Sequence, residues 1–193
     1  MKSTNSSRHR ASTASDDAFR RLTIESRDQD ELSEYFSQHV SRVAISPVSD
    51  PGRIKISSSV VPVAGAIAFR NSIPHGATFL QKEDLEGIFA ILPTSGQAVM
   101  KMASREVACS PGQGFLGPMN EGDILTCSER FSVAGLKLPE VQLIGTLSQL
   151  LDRPIIRPIA FSHEICASSP AARTLLSLAQ VASQPVDGMP FIA

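Results

Sequence analysis

The sequence predicts a mainly β domain with flanking helices, in which one short helix precedes an antiparallel barrel or sandwich and two helices follow it. Between Arg53 and Leu138 apolar and polar residues alternate with period two, as they do in half-buried strands. Turn-forming triplets such as Asp50-Pro51-Gly52 and Glu121-Gly122-Asp123 separate these runs. Because no helical pattern interrupts the runs, antiparallel pairing is predicted rather than a parallel sheet.

The composition indicates one globular domain. A chain of 193 residues has room for one ordinary domain with its own core. Hydrophobic residues make up 42% and charged residues 19%, and no apolar run reaches the ~18 residues of a membrane-spanning helix. The net charge of −1 lacks the basic excess of a nucleic-acid binder. Three widely spaced cysteines without a secretory leader predict reduced thiols in a cytoplasmic protein.

The first part of the chain is predicted to hold a tail, a helix and the barrel. Residues 1–17 are rich in Ser, Thr and basic residues and offer little to bury, so disorder is expected. Residues 18–138 are assigned to the helix and the barrel. Asp28 with Glu31 three residues later resembles a capping box. The helix that follows carries its apolar residues on one face: Leu32, Tyr35, Phe36 and Val40.

Residues 139–183 return to a helical period and are predicted to form a two-helix dimerisation region. The first helix begins at Pro139, carries leucines at positions 143, 147, 150 and 151, and stops at Asp152-Arg153-Pro154. After an extended connector, Ser169 caps the second helix and Pro170 takes its first position. Residues 184–193 are interpreted as the start of a linker.

One motif resembles a dinucleotide-binding site but lacks the helix that such a site requires. The segment Gly112-Gln113-Gly114-Phe115-Leu116-Gly117 satisfies the G-x-G-x-x-G string of dinucleotide-binding folds. That motif requires a helix N-terminus directly after it, whereas Pro118 and Asn120-Glu121-Gly122 supply a turn. A β-turn followed by a glycine-rich strand is therefore predicted, and no cofactor.

Motifs for metal binding and for nucleophilic catalysis are also missing. The four histidines are scattered, and the pair His163 and Cys166 lacks the further ligands of a metal site. No G-x-S-x-G or S-x-x-K motif occurs, and Cys109 and Cys127 lie in apolar strands, where they serve as small buried hydrophobes. The sequence predicts neither a metal site nor catalytic residues.

The barrel interior is the candidate binding site. On the strand 98–102, alternation places Ala98, Met100 and Met102 on one face. The candidate ligand-binding residues are these methionines together with aromatic and polar residues of other strands and turns: Phe69, Arg70, His75, Phe89, Met100, Met102 and Phe115. Among the polar groups, Arg70, His75 and Lys101 could orient a ligand carboxylate. The alternative is that the apolar residues fill a packed core and the polar ones face solvent or turns.

The last helix carries the candidate dimer interface. Leu175, Leu178, Ala179 and Ala182 form an apolar stripe with small residues that permit close approach of a second helix. The alternative is that this stripe packs onto the domain's own barrel.

Three segments resemble the N-terminal sensor domain of AraC-type transcription regulators, in the branch whose cupin-like barrel lacks metal. SRDQDELSEYFSQHVSRV resembles its opening helix, with the closing histidine at His39. VACSPGQGFLGPMNEGDI is similar to its central hairpin, and SVAGLKLPEVQLIGTLSQLLDRPI resembles the passage from its last strand into its first C-terminal helix. The resemblance covers residues 20 to 183, and the order of the segments carries it.

The resemblance implies a domain that binds a small effector, forms a homodimer and passes a signal to a C-terminal helix-turn-helix domain. That DNA-binding domain is absent from this chain, so DNA is expected as a partner only through it. Two other functions remain open. A small metal-free cupin-like enzyme, an isomerase or lyase, would show histidines and carboxylates converging in the cavity. A stand-alone interaction domain would show a filled barrel.

Overall fold

The computed structural model describes residues 20–26, 28–39, 41–48, 54–63, 65–156, 159–166 and 168–182. The predicted tail at 1–17 and the linker at 184–193 lie outside these residues. The strands are Arg20–Ser26 (β1), Val43–Pro47 (β2), Ile54–Val63 (β3), Ala66–Ile73 (β4), Ala77–Gln81 (β5), Leu85–Ser95 (β6), Ala98–Met102 (β7), Arg105–Cys109 (β8), Gln113–Met119 (β9), Ile124–Cys127 (β10), Phe131–Leu138 (β11) and His163–Cys166 (β12). The helices are Gln29–His39 (α1), Glu140–Leu150 (α2) and Pro170–Ala182 (α3).

Two antiparallel sheets form the body of the described structure. The larger has seven strands in the order β1-β3-β4-β11-β6-β9-β12, and the smaller has five in the order β2-β5-β10-β7-β8. The predicted architecture, a cupin-like antiparallel sandwich with one helix before it and two after it, is confirmed.

Three strands lie outside the region where strands were predicted, which began at Arg53. β1 precedes α1 and pairs with β3 along its whole length, and β2 pairs with β5. β12 follows the predicted connector and pairs with β9. These strands are short or lie at sheet edges, and their hydrogen bonds come from partners distant in sequence.

The inner core lies between the two sheets and is closed by α1. Both sheets contribute fully buried side chains to it, among them Met100 of β7 and Phe131 of β11. From α1, Leu32 and Phe36 pack into the same core, as the apolar face of that helix predicted. Asp28 caps α1, because its carboxylate accepts hydrogen bonds from the backbone N–H of Asp30 at 2.9 Å and of Glu31 at 3.3 Å.

A second apolar cluster lies on the outer face of the larger sheet, where α3 packs. We call it the outer cluster; its members are Ala68, Ala90, Leu92, Ala134, Leu136, Ile165 and Ala172, with Leu116, Leu138, Leu175 and Leu176 packed against them. Strand β11 contributes to both sides of the sheet: Phe131 and Val133 to the inner core, and Ala134 and Leu136 to the outer cluster. Since successive side chains alternate between faces, one strand separates the interior from α3.

The caps and turns follow the predicted chemistry. Ser169 accepts a hydrogen bond from the N–H of Ala172 at 3.1 Å and so caps α3, which begins at Pro170. Pro139 stands one position earlier than predicted, as the cap residue of α2 rather than its first helical residue. In the G-x-G-x-x-G segment, Gly112 adopts a φ of 93° in a turn and the rest forms β9, as predicted.

Candidate functional site

A cavity of about 250 Å³ opens inside the inner core, between the two sheets and beside α1. Its wall is mostly apolar, with five polar side chains. The lining residues are Phe36, Ser41, Val43, Ser58, Val60, Ile67, Phe69, Asn71, Ile73, Phe79, Gln81, Leu85, Phe89, Ile91, Met119, Leu125, Phe131, Val133 and Lys137. A cavity of this size and polarity is typical of a site for a small apolar molecule with a few polar groups.

Strand alternation selects which side chains reach the cavity. Along β4 every second residue lines it, namely Ile67, Phe69, Asn71 and Ile73. Along β11 the same period brings in Phe131, Val133 and Lys137. The remaining inward position on β11 is Gly135, where a β-carbon would clash with the ring of Phe69. The missing side chain at Gly135 therefore makes room for an aromatic wall.

The most unusual polar group in the cavity is the side-chain amide of Gln81. Its residue is only 6% exposed, and its Oε1 atom is buried with no hydrogen-bond partner. The backbone at this position is held firmly, because Gln81 N–H donates to Asp123 O and Gly122 N–H donates to Gln81 O, both at 3.0 Å. A buried acceptor without a partner costs free energy, so such groups usually mark a site that a ligand or water completes.

A second polar group lies on β3 and β4. The hydroxyl of Ser58 donates to Oδ1 of Asn71 at 2.7 Å across the two strands. This bond turns the amide oxygen of Asn71 toward its neighbour and leaves its NH₂ group as a hydrogen-bond donor beside the cavity.

The charged group of the cavity is Lys137. Its Nζ atom lies 5.9 Å from the centroid of the Phe89 ring, a cation–π contact across neighbouring strands. The described residues that line the cavity contain no Asp, Glu or His. Within the described ranges Lys137 forms no ion pair. The cavity thus combines an apolar wall with a lone positive charge.

Comparison with known proteins identifies the family. The profile of the AraC-binding-like domain matches residues 48–190, well over half of the chain. This chain belongs to the AraC-binding-like domain family. The resemblance predicted from its three sequence segments is therefore confirmed.

The fold is similar to that of a solved AraC-like transcriptional activator, CuxR, with a TM-score of 0.51 at 11% identity. The match covers 68% of this chain and 52% of CuxR, so the chain spans about half the length of that protein. A cupin superfamily protein from Desulfitobacterium hafniense gives a TM-score of 0.38 at 16% identity, covering 44% of this chain and 77% of its own. A cupin-like protein from Thermotoga maritima gives 0.37 at 12% identity, covering 48% and 76%. No curated protein matches the sequence significantly.

In this AraC-binding-like domain, two of the seven candidate effector-binding residues line the cavity. They are Phe69 of β4 and Phe89 of β6. Met100 and Phe115 are fully buried in the inner core away from the cavity lining, and Met102 packs against the same core. Whether the two phenylalanines bind an effector stays a prediction.

The three polar candidates lie elsewhere. Arg70 is exposed, because its neighbour Phe69 takes the inward position on β4 and Arg70 faces the other side. His75 is exposed in the turn between β4 and β5, and Lys101 on β7 pairs with Glu106 at 3.4 Å on the surface. The polar groups that do reach the cavity are Gln81, Asn71 and Lys137, with Ser41 and Ser58. The sequence signal that could have found Lys137 is its period-two spacing from Phe131 and Val133.

The candidate interface on α3 is divided between two faces. Leu175 packs against the outer cluster of its own sheet, whereas Leu178 is 58% exposed. Ala179 and Ala182 belong to α3, but their side chains lie outside the described part of the chain. Other exposed apolar residues lie on or next to the two C-terminal helices: Val141, Leu150, Leu151, Ile156 and Val181.

The three cysteines and His163 are the other chemically reactive side chains considered in the sequence analysis. Burial, with the charge of Glu164, raises the pKa of the Cys109 thiol to about 11, and burial also raises the pKa of Cys127. Both are buried, as predicted, and poor nucleophiles. Cys166 is exposed and its Sγ lies 2.9 Å from the Ser168 hydroxyl. His163 stacks on Phe115.

Within the described ranges no three His, Cys, Asp or Glu side chains are grouped as metal ligands, and no helix is long and apolar enough to cross a membrane.

Proposed function

We propose that this AraC-binding-like domain senses a small effector and dimerises as part of a transcription regulator. DNA would be contacted by a C-terminal helix-turn-helix domain beyond this chain. The observation that carries the proposal is the cavity of about 250 Å³ in which the buried Oε1 of Gln81 has no partner. An apolar space with an unpaired acceptor gains free energy when a complementary molecule enters it. A cytoplasmic location suits the three free cysteines.

The cavity also bears on the two alternatives. A filled barrel would leave no such space. An isomerase or lyase acting in the cavity would use an acid and a base within reach of its substrate. Among the described residues that line the cavity, the polar ones are two serines, an asparagine, a glutamine and a lysine, and they contain no histidine or carboxylate. This polar set supports binding rather than acid–base chemistry.

The mechanism follows from population shift. An effector that fits the cavity better in one arrangement of sheets, α1 and C-terminal helices will favour that arrangement. Phe36 couples the opening helix to the effector directly, because it lies on α1 and lines the cavity. The change in the relative position of two DNA-binding domains would then be the output.

A cavity-filling variant tests the proposal. Val60 lines the cavity, whereas the next residue on β3, Val61, faces the opposite side of the sheet. In a thermal-shift screen of small acids, aromatics and sugars, compounds that raise the melting temperature of the wild type should lose this effect in Val60→Phe. Val61→Phe is the matched control and should retain it. If no compound of any class stabilises the wild type, or if Val60→Phe responds as the wild type does, effector binding in this cavity is wrong.

A further inference from the structure

The chemistry of the cavity also indicates what kind of molecule it takes. Its lone charge is that of Lys137, and among the described lining residues no carboxylate balances it. This lysine lines the cavity, and its Nζ atom lies over the Phe89 ring, 5.9 Å from the ring centroid. A cation beside an apolar space, held only by an aromatic ring, favours a ligand that brings one negative charge.

The volume of the cavity and its aromatic walls limit the size and shape of the rest of the ligand. An apolar cavity of ~150 Å³ is enough to hold benzene, so about 250 Å³ holds one ring with a few substituents. Phenylalanine rings supply four of the lining side chains besides Phe36: Phe69, Phe79, Phe89 and Phe131. Aromatic walls pack well against a flat ring, either offset-stacked or edge-on.

The third requirement comes from Gln81. Its buried Oε1 needs a hydrogen-bond donor, which a hydroxyl or amino group on the ring would supply. Sites that are built to hydrogen-bond such a group reject analogues that lack it, because the protein's own buried group is then left unpaired.

The lining favours a carboxylate over a phosphate as the anion of the ligand. A phosphate ester has about two negative charges and three terminal oxygens, which call for several cations or backbone donors. Among the described lining residues the one cation is Lys137, and Asn71 lies beside Val133 in the register of β4 and β11, four residues away from Lys137. One ammonium matches the single charge of a carboxylate better than the two charges of a phosphate ester.

We propose that the effector is a small ring-bearing carboxylic acid, with its carboxylate paired to Lys137 and a hydroxyl or amine donating to Gln81. This inference rests on the proposed effector-binding function. In this assignment Lys137 and Gln81 set the specificity of the site, and the phenylalanine walls provide its non-specific affinity.

Titration calorimetry with the three ring isomers of hydroxybenzoate, their neutral hydroxybenzamides, benzoate and phenyl phosphate tests the assignment. The best hydroxybenzoate should bind about tenfold or more tightly than its own amide and than benzoate, the factor typical of a charge-assisted or buried hydrogen bond. Phenyl phosphate should bind more weakly than that acid.

Two variants test whether Lys137 causes the preference for the acid and Gln81 the preference for the hydroxyl group. Lys137→Met keeps an unbranched side chain of similar length and removes the charge, so the acid should bind no better than the amide. Lys101→Met, at the exposed lysine of β7, is the control and should keep the preference for the acid. Gln81→Leu should remove the advantage of hydroxybenzoate over benzoate.

The outcomes separate this inference from the proposed function. If no acid of the panel binds, if acid and amide bind equally, or if Lys137→Met keeps the preference, the acid assignment is overturned. Neutral compounds that stabilise the wild type but not Val60→Phe would then still support effector sensing in this cavity. If phenyl phosphate binds more tightly than every carboxylate, the anion class is wrong.

Discussion

At the scale of single residues, the buried side-chain oxygen of Gln81 destabilises the ligand-free domain, and we propose that it binds the effector. A buried amide oxygen without a partner costs about 1–3 kcal/mol, and this oxygen has none. Gln81→Leu should therefore raise the free energy of unfolding of the ligand-free domain by about 1 kcal/mol, measured by urea titration.

The exposed Gln97→Leu serves as the control for Gln81→Leu and should change stability by less than about 0.5 kcal/mol. A clear loss of stability in Gln81→Leu would mean that the amide supports the fold rather than a ligand.

His163 makes the stability of the domain depend on pH. Burial of its ring, with the nearby charge of Arg105, lowers the pKa of His163 below its ordinary 6.5. The unfolded chain therefore takes up this proton at a higher pH than the folded domain does. The free energy of unfolding should fall as pH decreases through about 6.5, until the pKa of the folded state is passed.

His163→Asn tests this pH dependence, because asparagine tolerates the φ of 65° found at this position. Melting temperatures measured between pH 7.5 and 5 should fall less steeply in His163→Asn than in the wild type. His75→Asn, in an exposed turn, should follow the wild type. An unchanged slope in His163→Asn would remove this histidine as the cause.

The sequence could identify the aromatic part of the cavity but not its polar part. Phe69 and Arg70 were both candidates, although neighbours on a strand face opposite sides, and the structure turns Phe69 inward. Gln81 and Asn71 become notable only through what surrounds them, since one lacks a partner and the other has one across the sheet. Such relations depend on strand order and register, which alternation alone does not specify.

At the scale of elements, α3 carries the sharpest prediction. Its inner face is used by its own sheet through Ala172, Leu175 and Leu176, whereas Leu178 and Val181 are 58% and 70% exposed. If these two residues belong to a dimer interface, Leu178→Asp should give a folded monomer in sedimentation velocity. Ser177→Asp places the same charge at the adjacent exposed position and should stay dimeric. A dimer in both variants, or a wild type that is itself monomeric, would contradict this role for α3.

Elements with strong local signals were predictable, and those that depend on distant partners were not. The caps Asp28 and Ser169 were read from sequence because a cap is made within one helical turn. β1 was missed, since its pairing with β3 connects residues that are 28 positions apart at Ser26 and Ile54 and 40 apart at Arg20 and Val60. β12 was not predicted either, because its hydrogen bonds come from β9.

At the scale of the whole molecule, the two-sheet architecture followed from periodicity and turn chemistry, whereas the cavity did not. Whether a barrel is filled depends on how side chains of both sheets meet, and a single missing side chain such as that of Gly135 alters the outcome. The sequence also did not decide what the apolar stripe of α3 packs against, since that stripe fits either a second subunit or the domain's own sheet.

Strand β11 lies between the cavity and α3, and its side chains contact both. The cavity lies against Phe131, Val133 and Lys137 on one face, and α3 packs on Ala134 and Leu136 on the other. Opening of this strand would expose both sides together, so a molecule seated in the cavity should slow amide hydrogen exchange in β11 and also in α3. In hydrogen–deuterium exchange with a saturating stabilising compound, peptides from Ala172–Leu178 should gain protection, whereas the hairpin of β7 and β8 should change less. Protection confined to the cavity wall would show that the helix opens independently of the strand beneath it.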